Sequence, residues 1–331
     1  MNRLQKTVDK AKQFIFREYS DWRGVAFFRV SLPIILITLS LLTWSQYISI
    51  YSSTGYIQRD ISEVLVNDYL ITTYKITDFL HYYFGLSELS SLYLLRWLYL
   101  TFLIFLCIGF LTRFSAFVCW LLHLAFVKSA HNFMYGTDYI HTIMLFFCIV
   151  LPVGNYFSMD NKIFRKKREN PLPSLRVFQI QLCIIYFFAG LAKAVGPNWW
   201  NGESIWKSLH RPVLGDFDFA WLAQYPFIAV SFGVGVVLTE SLYPIMIWIK
   251  RFQINRIWLW LIILMHLSIA FFLDLHIFSA TMIVFNISAF YFFIYGRSNE
   301  REHPRLMTKN SSHPVPDASS QPNNSFNPTP Q

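Results

Sequence analysis

The chain has 331 residues, of which 54% are hydrophobic and 19% aromatic; only 14% are charged, and the formal net charge is +9. A soluble globular protein carries about 25% charged residues. Apolar runs near bilayer length recur along this chain, so a large soluble domain is excluded and an all-α, polytopic helical membrane protein is expected.

Residues 1–23 come first. Leu4, Val8, Ala11, Ile15 and Tyr19 fall on one helical face with lysines around them. That pattern suits an amphipathic basic helix on the anionic inner leaflet, which makes membrane lipid the first expected partner. The apolar run that follows is about 22 residues long and lacks a small-residue cleavage site. It reads as a retained span rather than a cleavable signal.

Within 24–296 the hydropathy predicts a bundle of about eight transmembrane helices, near 24–46, 92–111, 113–130, 138–157, 175–195, 227–249, 257–273 and 277–296. The third and seventh are the shortest. Two long outer loops interrupt them. The loop 47–91 holds two basic and five acidic residues, and the loop 196–226 holds Trp199, Trp200, Trp206 and Trp221. Residues 297–331 are rich in Pro, Asn and Ser and predict a disordered cytoplasmic tail.

With the N-terminus inside, 20 Lys and Arg fall on the inner side and 5 on the outer. That bias places both termini in the cytoplasm. The basic excess is topological, and no nucleic-acid partner is expected. Cys107, Cys119, Cys148 and Cys183 all lie in apolar runs without a CxxC or Cys/His set, so they read as packing residues, and no metal is expected.

A charge at mid-bilayer costs roughly 2.5–3.5 kcal/mol on insertion scales, so ionisable groups inside spans are functional candidates. Arg29 and Arg96 lie near span ends and are expected to snorkel to the interface. His123 reads as a core histidine. Asp138 and His141 are three residues apart on one helical face, where a carboxylate can orient an imidazole. Lys193 ends the fifth span, Glu240 lies within the sixth with Pro244 one turn on, and His266 lies within the seventh. Each has a bland alternative: a helix cap for Asp138, a protonated core carboxyl for Glu240, snorkelling for Lys193. Together they point to a polar site for a substrate, a proton path or a cofactor.

A desolvated lysine is a competent base near neutral pH. Tyr186, Trp199 and Trp200 flank Lys193 in sequence. They are candidate walls of a pocket for a flat aromatic ligand such as a quinone, although interfacial anchoring also accounts for tryptophans in such a place.

The motifs, in this order, resemble the HTTM domain family, the transmembrane module shared with vitamin K-dependent γ-carboxylases. The resemblance rests on Tyr186-Phe187-Phe188-Ala189-Gly190-Leu191-Ala192-Lys193 followed by the Trp pair and Gly202. It rests further on the Asp138–His141 helix running into Leu151-Pro152 and Ser158-Met159-Asp160, and on Glu240 and Pro244 followed by the His266 helix. It covers about residues 20–295. It implies an enzyme in which Lys193 is the base and His141 stabilises an anion, with Asp138, Glu240 and His266 supporting. It also implies a reduced quinone of vitamin K or menaquinol type as cofactor, and a secreted peptide or small molecule as substrate.

The chain departs from the carboxylases at Ala192-Lys193, where they have two lysines, and in lacking their large extracytoplasmic C-terminal region. It looks more like the short bacterial members, some of which are tied to maturation of sporulation-delaying peptide toxins. That resemblance implies the bacterial inner membrane. Two other readings stay open: a non-enzymatic accessory or immunity protein for a secreted peptide, and a proton-coupled transporter, which would need inverted repeats and mid-membrane helix breaks.

Overall fold

A computed structural model describes residues 3–64, 66, 69–165, 170–210 and 218–296. The expected tail at 297–331 and the side chains of Leu4 and Ala11 lie outside the described residues. Every regular element among the described residues is helical. In chain order these are α1 (Arg3–Phe16), α2 (Arg23–Leu42), α3 (Tyr47–Tyr51), α4 (Arg59–Val64), α5 (Thr73–Phe84), α6 (Glu88–Ile108), α7 (Thr112–Ser129) and α8 (Gly136–Val150). They continue with α9 (Met159–Phe164), α10 (Leu172–Val195), α11 (Pro197–Trp200), α12 (Glu203–Leu209), α13 (Pro226–Met246), α14 (Ile254–Leu273) and α15 (His276–Asn286). A π-helical turn, Ile287–Tyr291, extends α15.

Among the described residues, six helical segments are long and apolar enough to cross a membrane: Arg23–Leu42, Glu88–Ile108, Leu172–Val195, Pro226–Met246, Arg251–Leu273 and His276–Gly296. The other two expected spans fall on α7 and α8. α8 has 15 residues, about 22 Å at 1.5 Å per residue, against a hydrocarbon core of about 30 Å. α7 is interrupted by Arg113, His123 and Lys128. The fold is thus the expected polytopic helical membrane protein; six of the eight expected spans are long and apolar enough to cross a membrane by themselves.

Local signals account for the helix ends. The Ser87 hydroxyl accepts from Ser90 N–H at the start of α6, and Gly109, at φ 73°, ends it in the left-handed region. The N-terminus of α7 is capped from a distance. Asp160 is buried and accepts from Leu111 N–H, Thr112 N–H and the Thr112 hydroxyl, each at 2.7–2.8 Å.

Arg29 and Arg96 do not snorkel. They are 0% and 1% exposed. Arg29, on α2, donates to the carbonyls of Leu106 (3.0 Å) and Cys107 (2.6 Å) at the end of α6, and to that of Phe157 (2.5 Å). Arg96, on α6, donates to the carbonyls of Ser40 (2.5 Å) and Trp44 (3.1 Å) at the end of α2 and lies 3.8 Å over the Trp44 ring. The last carbonyls of a helix have no partner within it and carry the negative end of its dipole. Each of these antiparallel helices therefore caps the other with a guanidinium. The pairing satisfies the buried charges where they stand, so they need not reach the interface.

The inner end of the fold is tied similarly. Arg176, in the first turns of α10, donates to the Phe14 carbonyl (2.9 Å) and to Gln179 Oε1 (2.6 Å), and stacks over Phe14 at 3.9 Å. Asn170 donates to the Arg17 carbonyl at 2.9 Å. These contacts hold the C-terminal end of α1 beside α10, with Phe14 and Phe16 exposed.

A candidate functional site at the Lys193–Glu240 pair

The site is set by how closely α10 and α13 approach. A Cβ on Gly190 would come within 2.5 Å of the Ser241 backbone nitrogen. Only glycine permits that backbone contact, and it fixes the register of the two antiparallel helices. Helical side chains lean toward their own N-terminus. Lys193, three residues beyond Gly190, therefore leans inward, and Glu240, one residue before Ser241, leans outward. They meet: Lys193 Nζ donates to Glu240 Oε2 at 2.6 Å.

The segment after α10 packs beside the pair. α11 and α12 lie along the N-terminal half of α13 through two more glycines. At Gly233 an added Cβ would strike the Trp199 carbonyl, and Gly202, at φ 82°, would put one 2.7 Å from Val230 N. Gly233 is seven residues outward from Glu240 on α13, about 10 Å at helical rise. Lys193 Nζ sits 5.4 Å from the Trp199 ring centroid, within cation–π range. Side-chain exposure is 23% for Lys193 and 8% for Glu240.

Only one of the two candidate wall tryptophans faces the amine. Trp200 donates from Nε1 to the Ala194 carbonyl at 2.7 Å and is otherwise exposed. Trp206 stacks on His210 at 3.7 Å.

Two turns inward from Lys193, Tyr186 opens a second polar layer. Its ring packs 4.2 Å from that of Tyr243, and its hydroxyl pairs with His266 Nε2 at 2.9 Å. Asn286 Nδ2 donates to the Tyr186 hydroxyl (2.7 Å) and to the Met282 carbonyl (2.8 Å), while Asn286 Oδ1 accepts from the Tyr243 hydroxyl (2.8 Å). The layer thus joins α10, α13, α14 and α15, and Asn286 stands where α15 passes into its π-turn. π-turns of this kind are frequent at functional sites. Lys193 is within electrostatic range of His266.

His141 belongs to a different group. Its Nε2 pairs with Thr281 Oγ1 at 2.8 Å, and its ring centroid is 6.0 Å from that of His123. His123 in turn is satisfied, with Nδ1 against the Tyr99 hydroxyl (3.2 Å) and Nε2 against the Asp138 carbonyl (3.4 Å), as expected of a core histidine. The Asp138 carboxylate does not orient His141. It turns back to accept from Tyr135 N–H at 3.0 Å and caps α8. Asp138 and His141 share a helix face, but the cap claims the carboxylate first because the helix start leaves N–H groups without partners.

Among the described residues, His141 Nδ1 and His266 Nδ1 have no hydrogen-bond partner although both rings are buried. Buried polar atoms are almost always paired, and of the eleven unpaired ones among the described residues these two are the imidazole nitrogens. Each suits one oxygen-bearing group of a ligand, such as a ring oxygen of a reduced quinone. No cluster of three or more His, Cys, Asp or Glu suited to a metal ion occurs among the described residues. Asn286, Tyr243, Thr281 and Tyr99 did not stand out in the sequence. Asn286 alone carried a signal, as an amide inside the apolar run Thr281–Ala289, whose burial demands partners.

The bundle and its paired lysine define a class: a polytopic helical membrane protein with an ionisable pair between two of its helices and a tryptophan-bearing segment packed beside it. The HTTM domain matches residues 34–293, and the chain belongs to the HTTM domain family. No curated protein and no solved structure matches it.

Proposed function

We propose that the protein is a quinol-dependent membrane enzyme that modifies a secreted peptide or a small molecule, with Lys193 as its base, in a bacterial cytoplasmic membrane. The observation that carries this reading is the Lys193–Glu240 pair beneath Trp199. An ammonium cannot act as a base, so Lys193 first gives a proton to Glu240, the carboxylate 2.6 Å away; the neutral amine then takes one proton from the substrate, and the pair ends with both groups protonated. Trp199, 5.4 Å from the amine, adds a cation–π contact to the charged form.

A reduced quinone, when bound, supplies an ionisable ring hydroxyl and two electrons. Lys193 Nζ is placed to take a proton from such a group. Thr281 spends its one hydroxyl proton on the Ile277 carbonyl at 2.8 Å, so it accepts from His141 Nε2–H. That leaves His141 Nδ1 as an acceptor. On taking a proton there, His141 becomes a cation and a donor, the form that stabilises a neighbouring anion.

The test compares wild type with Lys193→Arg and Lys193→Ala. Arginine keeps a cation beside Glu240 but stays protonated, so it cannot serve as a base. Peptides and small molecules secreted by cells expressing each form are compared by mass spectrometry, and lipid extracts of the purified protein are assayed for quinone. The expected result is a mass change made by wild type and lost in both variants, with quinone in the extract. A Lys193→Arg protein that supports every activity of wild type would refute the base. It would point instead to an accessory or immunity protein that uses the charge for recognition. Retained activity in Lys193→Arg together with dependence on a proton gradient would point to a transporter.

A further inference from the structure

The second polar layer determines which nitrogen of His266 carries its proton. Asn286 Nδ2 faces the Met282 carbonyl, which can only accept, so the amide orientation is set and Nδ2 is the donor. The same Nδ2 donates to the Tyr186 hydroxyl oxygen. Tyr186 has one proton of its own, and the one acceptor left within reach is His266 Nε2, at 2.9 Å. If Nε2 carried the proton instead, the Tyr186 hydroxyl would lose its acceptor while His266 Nδ1 stayed unpaired. Two buried polar groups would then be unsatisfied rather than one, at about 1–3 kcal/mol each. His266 is therefore the Nδ1–H tautomer. That N–H is a donor on a ring only 2% exposed and has no partner among the described residues.

We propose that His266 Nδ1–H is a donor subsite for a carbonyl or anionic oxygen of the ligand held beside Lys193, and that Tyr186, Asn286 and Tyr243 are the positioning residues that keep its proton on Nδ1. The two buried histidines then offer opposite functions. His141 presents a lone pair, and His266 presents a proton. A preorganised donor aimed at developing charge stabilises an anion without having to reorient first. Tyr243 completes the lock: by donating to Asn286 Oδ1 it holds the amide plane that makes Nδ2 face Tyr186. The inference rests on the proposed siting of a ligand next to Lys193, but the tautomer itself needs neither ligand nor turnover to be measured.

The experiment uses the full chain with ¹⁵N-labelled histidine in lipid nanodiscs, with the His266 signals assigned by their loss in His266→Asn. Wild type is expected to show a protonated Nδ1 and an unprotonated Nε2 at neutral pH. Tyr186→Phe and Asn286→Ala are expected to shift the ring toward the other tautomer. A wild-type ring protonated on Nε2, or a tautomer unchanged in both variants, would overturn the lock.

Menadione, a ring with two carbonyl oxygens, serves as the probe for the subsite. Its addition is expected to move the Nδ1 resonance. Its affinity is expected to fall about tenfold in His266→Leu and to be held in His266→Asn, whose amide keeps a donor near the Nδ1 position. An unmoved resonance, or equal affinity in all three proteins, would overturn the subsite. Loss of activity in Lys193→Arg with the tautomer intact separates the two claims. So does a correct tautomer in a protein whose Lys193 proves dispensable.

Discussion

Arg29 shows how a buried charge becomes structural. Its guanidinium serves three carbonyls from two elements, and Gly109 lets it approach: a Cβ there would stand 2.7 Å from Arg29 Nη1. Arg29→Met removes the donors while keeping much of the stem, so the Cys107 and Phe157 carbonyls lose their partner and that of Leu106 keeps only Gly109 N–H. The expected cost is about 2–4 kcal/mol, read as a lower unfolding midpoint in detergent or nanodiscs. Arg29→Lys should recover little, because one ammonium cannot reproduce a fork that bonds carbonyls on two segments. Sequence position near a span end suggests snorkelling for such a residue. What it leaves out is the helix terminus waiting for it on the neighbouring helix.

Among the elements, the contact of α10 with α13 governs the site. Gly190→Val would push a branched side chain against the Ser241 backbone and separate the helices. It should break the Lys193–Glu240 pair, destabilise the bundle by about 1–3 kcal/mol and remove the activity proposed for Lys193. Stability and the secreted-product assay check the two effects on one variant.

A second element-scale prediction concerns the outer loop, where Arg59 on α4 binds Asp78 on α5 through two hydrogen bonds, at 2.8 and 2.5 Å, and Glu63 at 2.7 Å. The hydrogen bonds from Arg59 hold the Asp78 carboxyl below its ordinary value of 3.8. A group depressed in the fold stabilises it above the unfolded value and loses that contribution as pH falls through the folded one. Acidification below about pH 4 should therefore loosen α4 from α5. The effect should be under about 1 kcal/mol because the pair is largely exposed and screened by salt. Hydrogen exchange of the two helices at pH 7 and pH 3 measures it, and Asp78→Asn should abolish the pH dependence.

For the whole molecule, the open quantity is the number of crossings. α7 and α8 form an antiparallel hairpin, so counting them as spans or not leaves every other segment on the same side. The test lies in the turn between them. With both helices crossing, Tyr135→Cys should react from outside with an impermeant maleimide, whereas Lys162→Cys should react only after the membrane is opened. Tyr135→Cys that also requires opening would fix the count at six.

The sequence by itself determined the membrane class, the helical fold and the place of Lys193 at the end of a helix. Those follow from hydropathy and charge, which add up locally along the chain. Its motif order also identified the HTTM family. Tertiary structure decided the rest. Lys193 meets Glu240 because Gly190 sets the register of α10 on α13. Arg29 and Arg96 are reciprocal caps, and the amide of Asn286 determines where the His266 proton sits. These are hydrogen bonds between helices far apart in sequence, and such bonds depend on register and rotation, which no local pattern of residues encodes. Asp138 caps its own helix, one of the two readings its sequence position left open.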